Sequence, residues 1–309
     1  MSLKTIKSIS PLDGRYHDKT KELSEYFSEY AYHKYRVLVE IEYLIYFSEI
    51  NVFDLKNIDI EKTKQIYKNF STKDSERIKE IEKITNHDVK AIEYFIKEKL
   101  KEAEIIFNYE FVHFGLTSQD INSVANVLRL KECIHQIIVP CCQELLELLQ
   151  IMGENNINLP MLSRTHGQPA SPTLLGKEIL VFCERIHRQI DYKTTGLLNI
   201  EYSSKFGGAI GNNNANYFAN DKINWNHSFT LFLERLNLHR HTYTTQIDHY
   251  DNLSEIFDNL NRICIILVDL CTDFWQYISN NYFIQKVVST ETGSSTMPHK
   301  VNPIDFENA

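Results

Sequence analysis

The sequence predicts an all-α protein built from long helices. Apolar side chains recur at spacings of three and four residues over several long stretches, which is the period of a helix. Short polar segments rich in His, Ser, Thr and Asn separate these stretches. We find no strand repertoire in the sequence, because no set of short runs alternates apolar and polar residues as half-buried strands do.

The N-terminal helices follow a turn-rich opening. Pro11 and the pair Asp13-Gly14 predict a bend that presents Arg15 on a loop. Apolar residues at helical spacing predict a helix over residues 30–50 and a charged helix around Ile78. The segment Asn86-His87-Asp88 interrupts this pattern just before another amphipathic helix, where the simplest interpretation is an Asn or Asp N-cap.

Three long apolar patterns make up the rest of the chain. The first covers residues 121–152, about 45 Å at the α-helical rise, with a kink expected at Pro140. The second and third cover residues 174–190 and 256–277. Polar segments precede them at residues 112–120, 161–170 and 244–251. Rods of this length need more apolar neighbours than one chain supplies, so we expect a homo-oligomer.

Composition limits the function classes. The 309 residues, 43% hydrophobic and 24% charged, are typical of a globular protein. A net charge of -8 argues against a nucleic-acid partner. The six cysteines lie in apolar patterns without a Cys-x-x-Cys pair, so we expect reduced core thiols. The N-terminus has no apolar h-region and no aliphatic run could span a bilayer, which predicts a cytoplasmic protein without a membrane partner.

Three kinds of site fit the polar segments poorly. Their histidines lack the spacing of a zinc site, so no metal is expected. No predicted strand precedes the glycine-rich loop 205–211 and no Gly-Lys-Ser follows it, which favours a tight turn or close helix packing over nucleotide binding. No Gly-x-Ser-x-Gly elbow accompanies Ser294 or Ser295, which argues against a Ser-His hydrolase. We therefore interpret the polar segments as parts of one site, on which they converge.

The last polar segment is the most specific. Residues 293–303 read Gly-Ser-Ser-Thr-Met-Pro-His-Lys-Val-Asn-Pro. This loop resembles the signature of the fumarase/aspartase superfamily, whose members release fumarate. Upstream segments resemble, in the same order, the adenylosuccinate lyase family, and above all its bacterial subgroup. They are residues 8–16, Asn86-His87-Asp88, His113 with Thr117-Ser118, residues 163–169 and Thr244-Thr245-Gln246.

This resemblance implies a long-helix bundle of the fumarase/aspartase type, no cofactor, and a homotetramer in which three subunits contribute to each site. It also implies β-elimination of fumarate from adenylosuccinate, giving AMP, and from the succinyl-carboxamide ribotide SAICAR, giving AICAR, in purine nucleotide biosynthesis. Two alternatives stay open. One is a sister fumarate-releasing lyase, acting on argininosuccinate or resembling fumarase, and the other is a non-catalytic fragment or scaffold.

The resemblance also assigns roles to residues. Ser294 is expected to be the general base, with Ser295 as the alternative. His166 is expected to be the general acid, oriented by Glu307. Lys300 and Asn302 would bind the carboxylate on the fumarate side. The other substrate-binding positions are Arg15, Tyr16, Asn86, His87, Asp88, His113, Thr117, Ser118 and Gln246.

For domain organisation, we predict an N-terminal helical domain over residues 1–112 and a central long-helix bundle over residues 113–309. The sequence ends inside a motif that in relatives continues into a third helical domain, so we expect the C-terminal domain to be missing. After Gln246 the chain lacks a proline that relatives often have, which is expected to shift the start of the third rod.

Overall fold

A computed structural model describes residues 6–51, 58–105, 108–193, 195–286, 296–297 and 299–309. Contacts between residues divide the chain into two compact units. Unit 1 consists of Met1–Ile137 and Glu201–Leu253, and unit 2 of Ile138–Ile200 and Ser254–Ala309. Each unit therefore combines segments that are distant in sequence. Our division at residue 112 follows chain order and stays a prediction.

The described residues are mainly helical. The helices are α1 (His17–Thr20), α2 (Ser24–Phe27), α3 (Glu29–Glu49), α4 (Ile60–Lys68), α5 (Thr72–Thr85), α6 (Asp88–Glu102), α7 (Ser118–Cys133), α8 (Val139–Asn155), α9 (Leu175–Ile190), α10 (Asn214–Ala219), α11 (Trp225–Arg235), α12 (Asp251–Ser279) and α13 (Ile304–Asn308). The strands are β1 (Pro160–Thr165), β2 (Gln168–Leu174), β3 (Ser203–Ser204) and β4 (His239–Arg240). The predicted all-α class is confirmed, because the strands among the described residues form only two small sheets.

Helix α3 is the centre of unit 1. It packs against α4, α5, α6 and α7, and most of its side chains are buried. The helix begins after Ser28, whose hydroxyl accepts a hydrogen bond from the backbone N–H of Ala31. Its C-terminal half joins an aromatic core in which Tyr43 and Phe206 pack with their ring centroids 5.5 Å apart. A helix predicted over residues 30–50 is therefore present and buried on most sides.

The first predicted rod is helical but not uniform. Five residues between α7 and α8, Ile134–Ile138, adopt a π-helical hydrogen-bonding pattern instead of the α-helical one. Pro140 lies at the start of α8. Because proline has no backbone N–H, it donates no hydrogen bond to the carbonyl one turn earlier. Our prediction of one α-helix with a kink at Pro140 is corrected to two α-helices joined by a π-helical segment.

Unit 2 contains α8, α9 and most of α12. Helices α8 and α9 approach closely at two glycines, since a Cβ on Gly176 would lie only 2.2 Å from the carbonyl oxygen of Gly153. An ion pair of 2.7 Å between Arg185 on α9 and Asp269 on α12 joins the next pair of helices. Cysteine burial differs from our expectation: Cys133 is buried, but Cys141 and Cys264 are exposed.

The segment predicted as a polar interruption at residues 161–170 is a β-hairpin. Strands β1 and β2 pair antiparallel, from Pro160 opposite Leu174 to Thr165 opposite Gln168. Both strands are mostly exposed, so neither has a buried face that would produce apolar alternation in the sequence. That is why the sequence pattern missed them.

None of the helices among the described residues combines the length and the apolar composition needed to cross a membrane.

Candidate active site

The predicted base lies outside the described residues. Ser294 and Ser295 belong to residues 287–295, which the structure does not describe. Two later residues of the same loop are described. Lys300 is exposed and Asn302 is partly buried, and the backbone N–H of Lys300 donates to the carbonyl of Met297 at 3.0 Å. An exposed ammonium at this position is free to meet a carboxylate in solvent.

The predicted acid, His166, sits at the tip of the β1–β2 hairpin. His166 and Gly167 form its two-residue turn, and both have positive φ angles, 54° and 76°. Such a turn matches the twist of the paired strands and needs left-handed backbone at both central residues. The guanidinium of Arg164 donates to the carbonyl of Gly167 at 3.1 Å and closes the turn. The hairpin thereby exposes the imidazole of His166.

The carboxylate of Glu307, on α13, contacts α12. Its Oε1 accepts a hydrogen bond from the indole N–H of Trp275 at 3.3 Å. Within the part of this chain that the structure describes, no hydrogen bond joins Glu307 to His166. The orienting role of Glu307 stays a prediction.

The opening loop presents Arg15 as expected. The backbone N–H of Tyr16 donates to the carbonyl of Pro11 at 2.9 Å, which closes the bend. The Arg15 guanidinium is exposed and lies 5.6 Å from the centroid of the Tyr16 ring. Its cationic group can therefore reach an anionic ligand while its stem rests on the aromatic ring.

The segment at residues 86–88 has a different helix cap from the Asn or Asp that we expected, and its substrate-binding role stays a prediction. Asn86 ends α5 in left-handed backbone, with φ 50°. The N-cap of α6 is His87, whose Nδ1 accepts from the N–H of Lys90 at 3.2 Å, and not Asn86 or Asp88. Asp88 pairs with the buried guanidinium of Arg36 at 2.6 Å. Burial raises the pKa of Asp88, but Arg36 and the Val89 N–H outweigh it and lower that pKa.

His113 is bound to a buried carboxylate. Its Nδ1 lies 2.5 Å from Oε1 of Glu40, and the two side chains are 12% and 0% exposed. The backbone of His113 has a positive φ of 63°, which turns the chain before α7. Burial lowers the pKa of His113, but the Glu40 carboxylate more than compensates, so its pKa is raised. The imidazole therefore favours its cationic form.

Thr117 and Ser118 lie at the first turn of α7. Thr117 is the N-cap, and the backbone N–H of Thr117 donates to Oδ2 of Asp120 at 2.9 Å in a capping box. Both hydroxyl residues are partly exposed. The N-terminus of a helix attracts negative charge, which suits a group that binds an anionic substrate.

Sequence reasoning missed a buried ion pair beneath this helix start. Lys205 Nζ lies 2.6 Å from Oδ1 of Asp120, and both side chains are 0% exposed. Asp120 also accepts the backbone N–H groups of Gly207 and Gly208, at 2.8 and 3.1 Å. Burial lowers the pKa of Lys205, against the attraction of Asp120. The glycine-rich loop was the signal in the sequence, since Gly208 has a positive φ of 74°, a left-handed backbone that favours glycine.

Asp248 ties the Gln246 segment to the same network. Its carboxylate accepts the N–H of Lys205 at 2.9 Å and that of Tyr250 at 3.1 Å, and His241 Nε2 lies 3.4 Å away. Burial raises the pKa of Asp248, but His241 and these N–H groups outweigh burial, so the pKa is lowered. Gln246 is exposed on the same segment. The structure thus joins three loops of unit 1, at residues 113–120, 205–213 and 244–250.

Two groups among the described residues have the spacing of metal ligands: His241 with Asp248 and His249, and Glu29 with His33 and Glu82. The oxygens of Asp248 already accept backbone N–H groups. In the second group, the ammonium of Lys79 lies 2.7 Å from both glutamates and forms an ion pair with each of them. Groups of the protein itself therefore contact the carboxylates of both clusters. The absence of a metal stays a prediction.

Comparison with known proteins agrees with these motifs. A family model described as "Lyase" matches residues 14–309. The chain belongs to this lyase family. The lyase is 48% identical to adenylosuccinate lyase of Dictyostelium discoideum and 42% identical to adenylosuccinate lyase of Escherichia coli K12, over its whole length in both cases. It spans 68% of the length of each of these relatives. The family predicted from the polar segments is confirmed.

Solved structures support the fold of the lyase. A fumarate lyase from Mesorhizobium sp. BNC1 aligns with a TM-score of 0.65 at 20% identity, over 85% of this chain and 57% of that one. The 3-carboxy-cis,cis-muconate lactonizing enzyme of Pseudomonas putida aligns with a TM-score of 0.69 at 22% identity, over 93% and 62% of the two chains. At these identities the comparison concerns the fold alone, and the predicted long-helix architecture is confirmed.

Proposed function

We propose that this lyase eliminates fumarate from adenylosuccinate to give AMP, and from SAICAR to give AICAR. The observation that carries the proposal is the sequence identity to two adenylosuccinate lyases, 48% and 42% over the entire chain. Of the predicted substrate-binding residues, Arg15, His87 and Gln246 are also exposed. No cofactor is required, because elimination needs only proton transfer and stabilisation of charge.

The reaction sets three chemical demands. Removing a proton beside a carboxylate creates a dianionic intermediate, so the site needs a base, cationic or amide groups for the new charge, and an acid for the departing nitrogen. We assign the base to Ser294, with Ser295 as the alternative, and the acid to His166, oriented by Glu307. Lys300 and Asn302 stabilise the carboxylate. The exposure of His166 at a hairpin tip and of Lys300 in its loop supports these roles.

Unit 1 supplies the substrate-holding groups in this proposal. Its cationic groups suit a phosphorylated nucleotide: Arg15 is exposed, and the environment of His113 favours the imidazolium. The hydroxyls of Thr117 and Ser118 lie where a helix start favours an anion. The set is completed by Tyr16, Asn86, His87, Asp88 and Gln246.

We further propose a homotetramer whose sites are shared between subunits. Helix α12 supports this, because it is apolar on two sides. Phe257, Ile265, Val268 and Trp275 are 43–54% exposed and fall within about 80° of one another around the helix. Ile256, Ile263, Ile266 and Leu270 on the other side are buried. An apolar stripe that its own unit leaves open suits a neighbouring helix of another subunit.

Activity on adenylosuccinate tests the assignment. The protein, expressed from its native reading frame, should change the absorbance of adenylosuccinate as AMP forms. His166→Ala and Ser294→Ala should each lower kcat at least about 100-fold, as expected when a positioned acid or base is removed. His239→Ala changes a histidine whose side chain is 64% exposed and serves as the matched control.

Three results would contradict parts of this proposal. Activity close to that of the unmodified protein in His166→Ala would remove its role as acid. A loss confined to Ser295→Ala would move the base to that residue. Turnover of argininosuccinate without turnover of adenylosuccinate would favour the sister lyase.

A further inference from the structure

Two of the buried charged residues on helix α3 lie one turn apart, and each contacts a different predicted substrate-binding segment. Arg36 pairs with Asp88 at 2.6 Å, and Glu40 pairs with His113 at 2.5 Å. Both lie on the same side of the helix because residues four apart are neighbours on a helix surface. Arg36 also donates through Nε to Asn122 at 2.9 Å. Glu40 has no such second partner within the described part of the chain, where its Oε2 is buried without a hydrogen bond.

Three carboxylates from three elements raise the pKa of His113: Glu40 from α3, Glu93 from α6 and Asp120 from α7. Glu93 has its own cation, since Lys90 Nζ lies 2.7 Å from its Oε2. Asp120 is paired with Lys205 at 2.6 Å. For Glu40, the positive charge comes from His113. A buried carboxylate without a cation is costly, so the pair favours the imidazolium.

The geometry of the ring leaves one nitrogen for a ligand. Nδ1 is occupied by Glu40, and the side chain is 12% exposed. Among the residues described, none forms a hydrogen bond with Nε2 of His113. When one ring nitrogen is held by a carboxylate, both the orientation of the ring and the proton on the other nitrogen are determined.

We propose that Glu40 is a positioning residue for His113, holding Nδ1 so that the ring presents the Nε2–H of an imidazolium to an anionic group of the substrate. The proposal rests on the proposed function, in which His113 contacts the nucleotide substrate. Glu40 itself touches no substrate and acts through the imidazole. This positioning role gives a reason for the buried carboxylate on α3, a helix that is far from the signature loop in sequence.

Titration of His113 by NMR tests the first half of the proposal. With the His113 signal assigned from a His113→Asn variant, Glu40→Gln should shift its titration to lower pH. Glu42→Gln is the matched control, because Glu42 is a buried carboxylate on the same helix that bonds to Tyr67 at 2.7 Å instead. If Glu40→Gln does not fold, Glu40→Asp keeps the charge with a shorter side chain and should produce a smaller shift in the same direction.

Binding of AMP, measured by calorimetry across pH, tests the second half. Because the imidazolium is present below its pKa and lost above it, affinity in the unmodified protein should fall as pH rises through that pKa. In Glu40→Gln this fall should begin at lower pH, with affinity near neutral pH about tenfold weaker, the loss expected for one charge-assisted hydrogen bond. The affinity of Glu42→Gln should match that of the unmodified protein.

The outcomes separate the proposals. A His113 titration unchanged in folded Glu40→Gln overturns the positioning role. A lowered titration with unchanged AMP affinity overturns the link to the substrate. If the unmodified protein binds no AMP, the proposed function is contradicted, while a lowered titration still supports the coupling of Glu40 to His113.

Discussion

Single residues hold the loops of unit 1 together. Lys205 and Asp120 form a buried ion pair beneath the start of α7. Gly211, in the same loop as Lys205, allows the Thr244 backbone to approach, since a Cβ on this glycine would lie 2.1 Å from the Thr244 carbonyl oxygen. A residue of the glycine-rich loop thereby packs directly on the segment that carries Gln246.

Alanine substitutions at Gly208 and Gly211 distinguish the energetic cost of the Thr244 contact from the cost of left-handed backbone. Gly208 and Gly211 have similar positive φ angles, 74° and 83°, but a Cβ on Gly208 would meet its nearest atom, the Gly115 oxygen, at 3.3 Å. Gly208→Ala should cost about 1 kcal/mol in the free energy of unfolding, for the left-handed backbone. Gly211→Ala should cost about 2 kcal/mol more, because the contact forces a backbone shift. Urea unfolding measures both, and equal losses would show that the contact does not matter.

At the scale of elements, α3 determines where two of the predicted substrate-binding segments lie. The helix carries Arg36 and Glu40, which bind Asp88 and His113. It begins at an N-cap, where the Ser28 hydroxyl satisfies the N–H of Ala31 at 3.1 Å. The stability of this helix start is therefore relevant to the site as well as to the core.

Removal of the cap should weaken unit 1 measurably. Ser28→Ala is expected to lower the free energy of unfolding by about 1 kcal/mol, because an N–H of the first turn loses its acceptor. Ser24→Ala is the control: its hydroxyl donates to the Lys21 carbonyl on the surface and caps no long helix. The control should stay within about 0.5 kcal/mol of the unmodified protein. Chemical denaturation compares the two, and a larger loss for Ser24→Ala would refute the capping argument.

Helical elements could be predicted from the sequence where burial is one-sided or complete, as for α3 and α12. The β1–β2 hairpin could not, because its strands are mostly exposed and contain prolines at positions 160, 169 and 172. The cap of α6 was also predicted wrongly, since His87 acts through a ring nitrogen where Asn or Asp are the usual choices.

At the scale of the whole molecule, the exposed apolar stripe of α12 is the surface most relevant to assembly. It is apolar and lies opposite the side that its own unit buries. Exposed apolar surface of this kind usually becomes covered in an oligomer. The proposed tetramer provides such a cover.

A charge on the stripe should therefore dissociate the assembly. Ile265→Glu would place a carboxylate at a side chain that is 52% exposed in the chain but covered in the proposed tetramer. Leu231→Glu, on α11, changes a residue of comparable exposure, 42%, outside this stripe. Light scattering after size-exclusion chromatography should give a tetramer for the unmodified protein and for Leu231→Glu, and smaller species for Ile265→Glu. A monomeric unmodified protein would rule out the assembly.

The sequence by itself determined the helical class, the approximate rods and the lyase family, because helical periodicity and the signature loop are local patterns. Only the tertiary structure decided which side chains meet. Glu40 pairs with His113, and Asp120 with Lys205, across long stretches of chain. Such pairing depends on how helices and loops pack, and a carboxylate on an apolar helix has no partner in the sequence until the fold provides one.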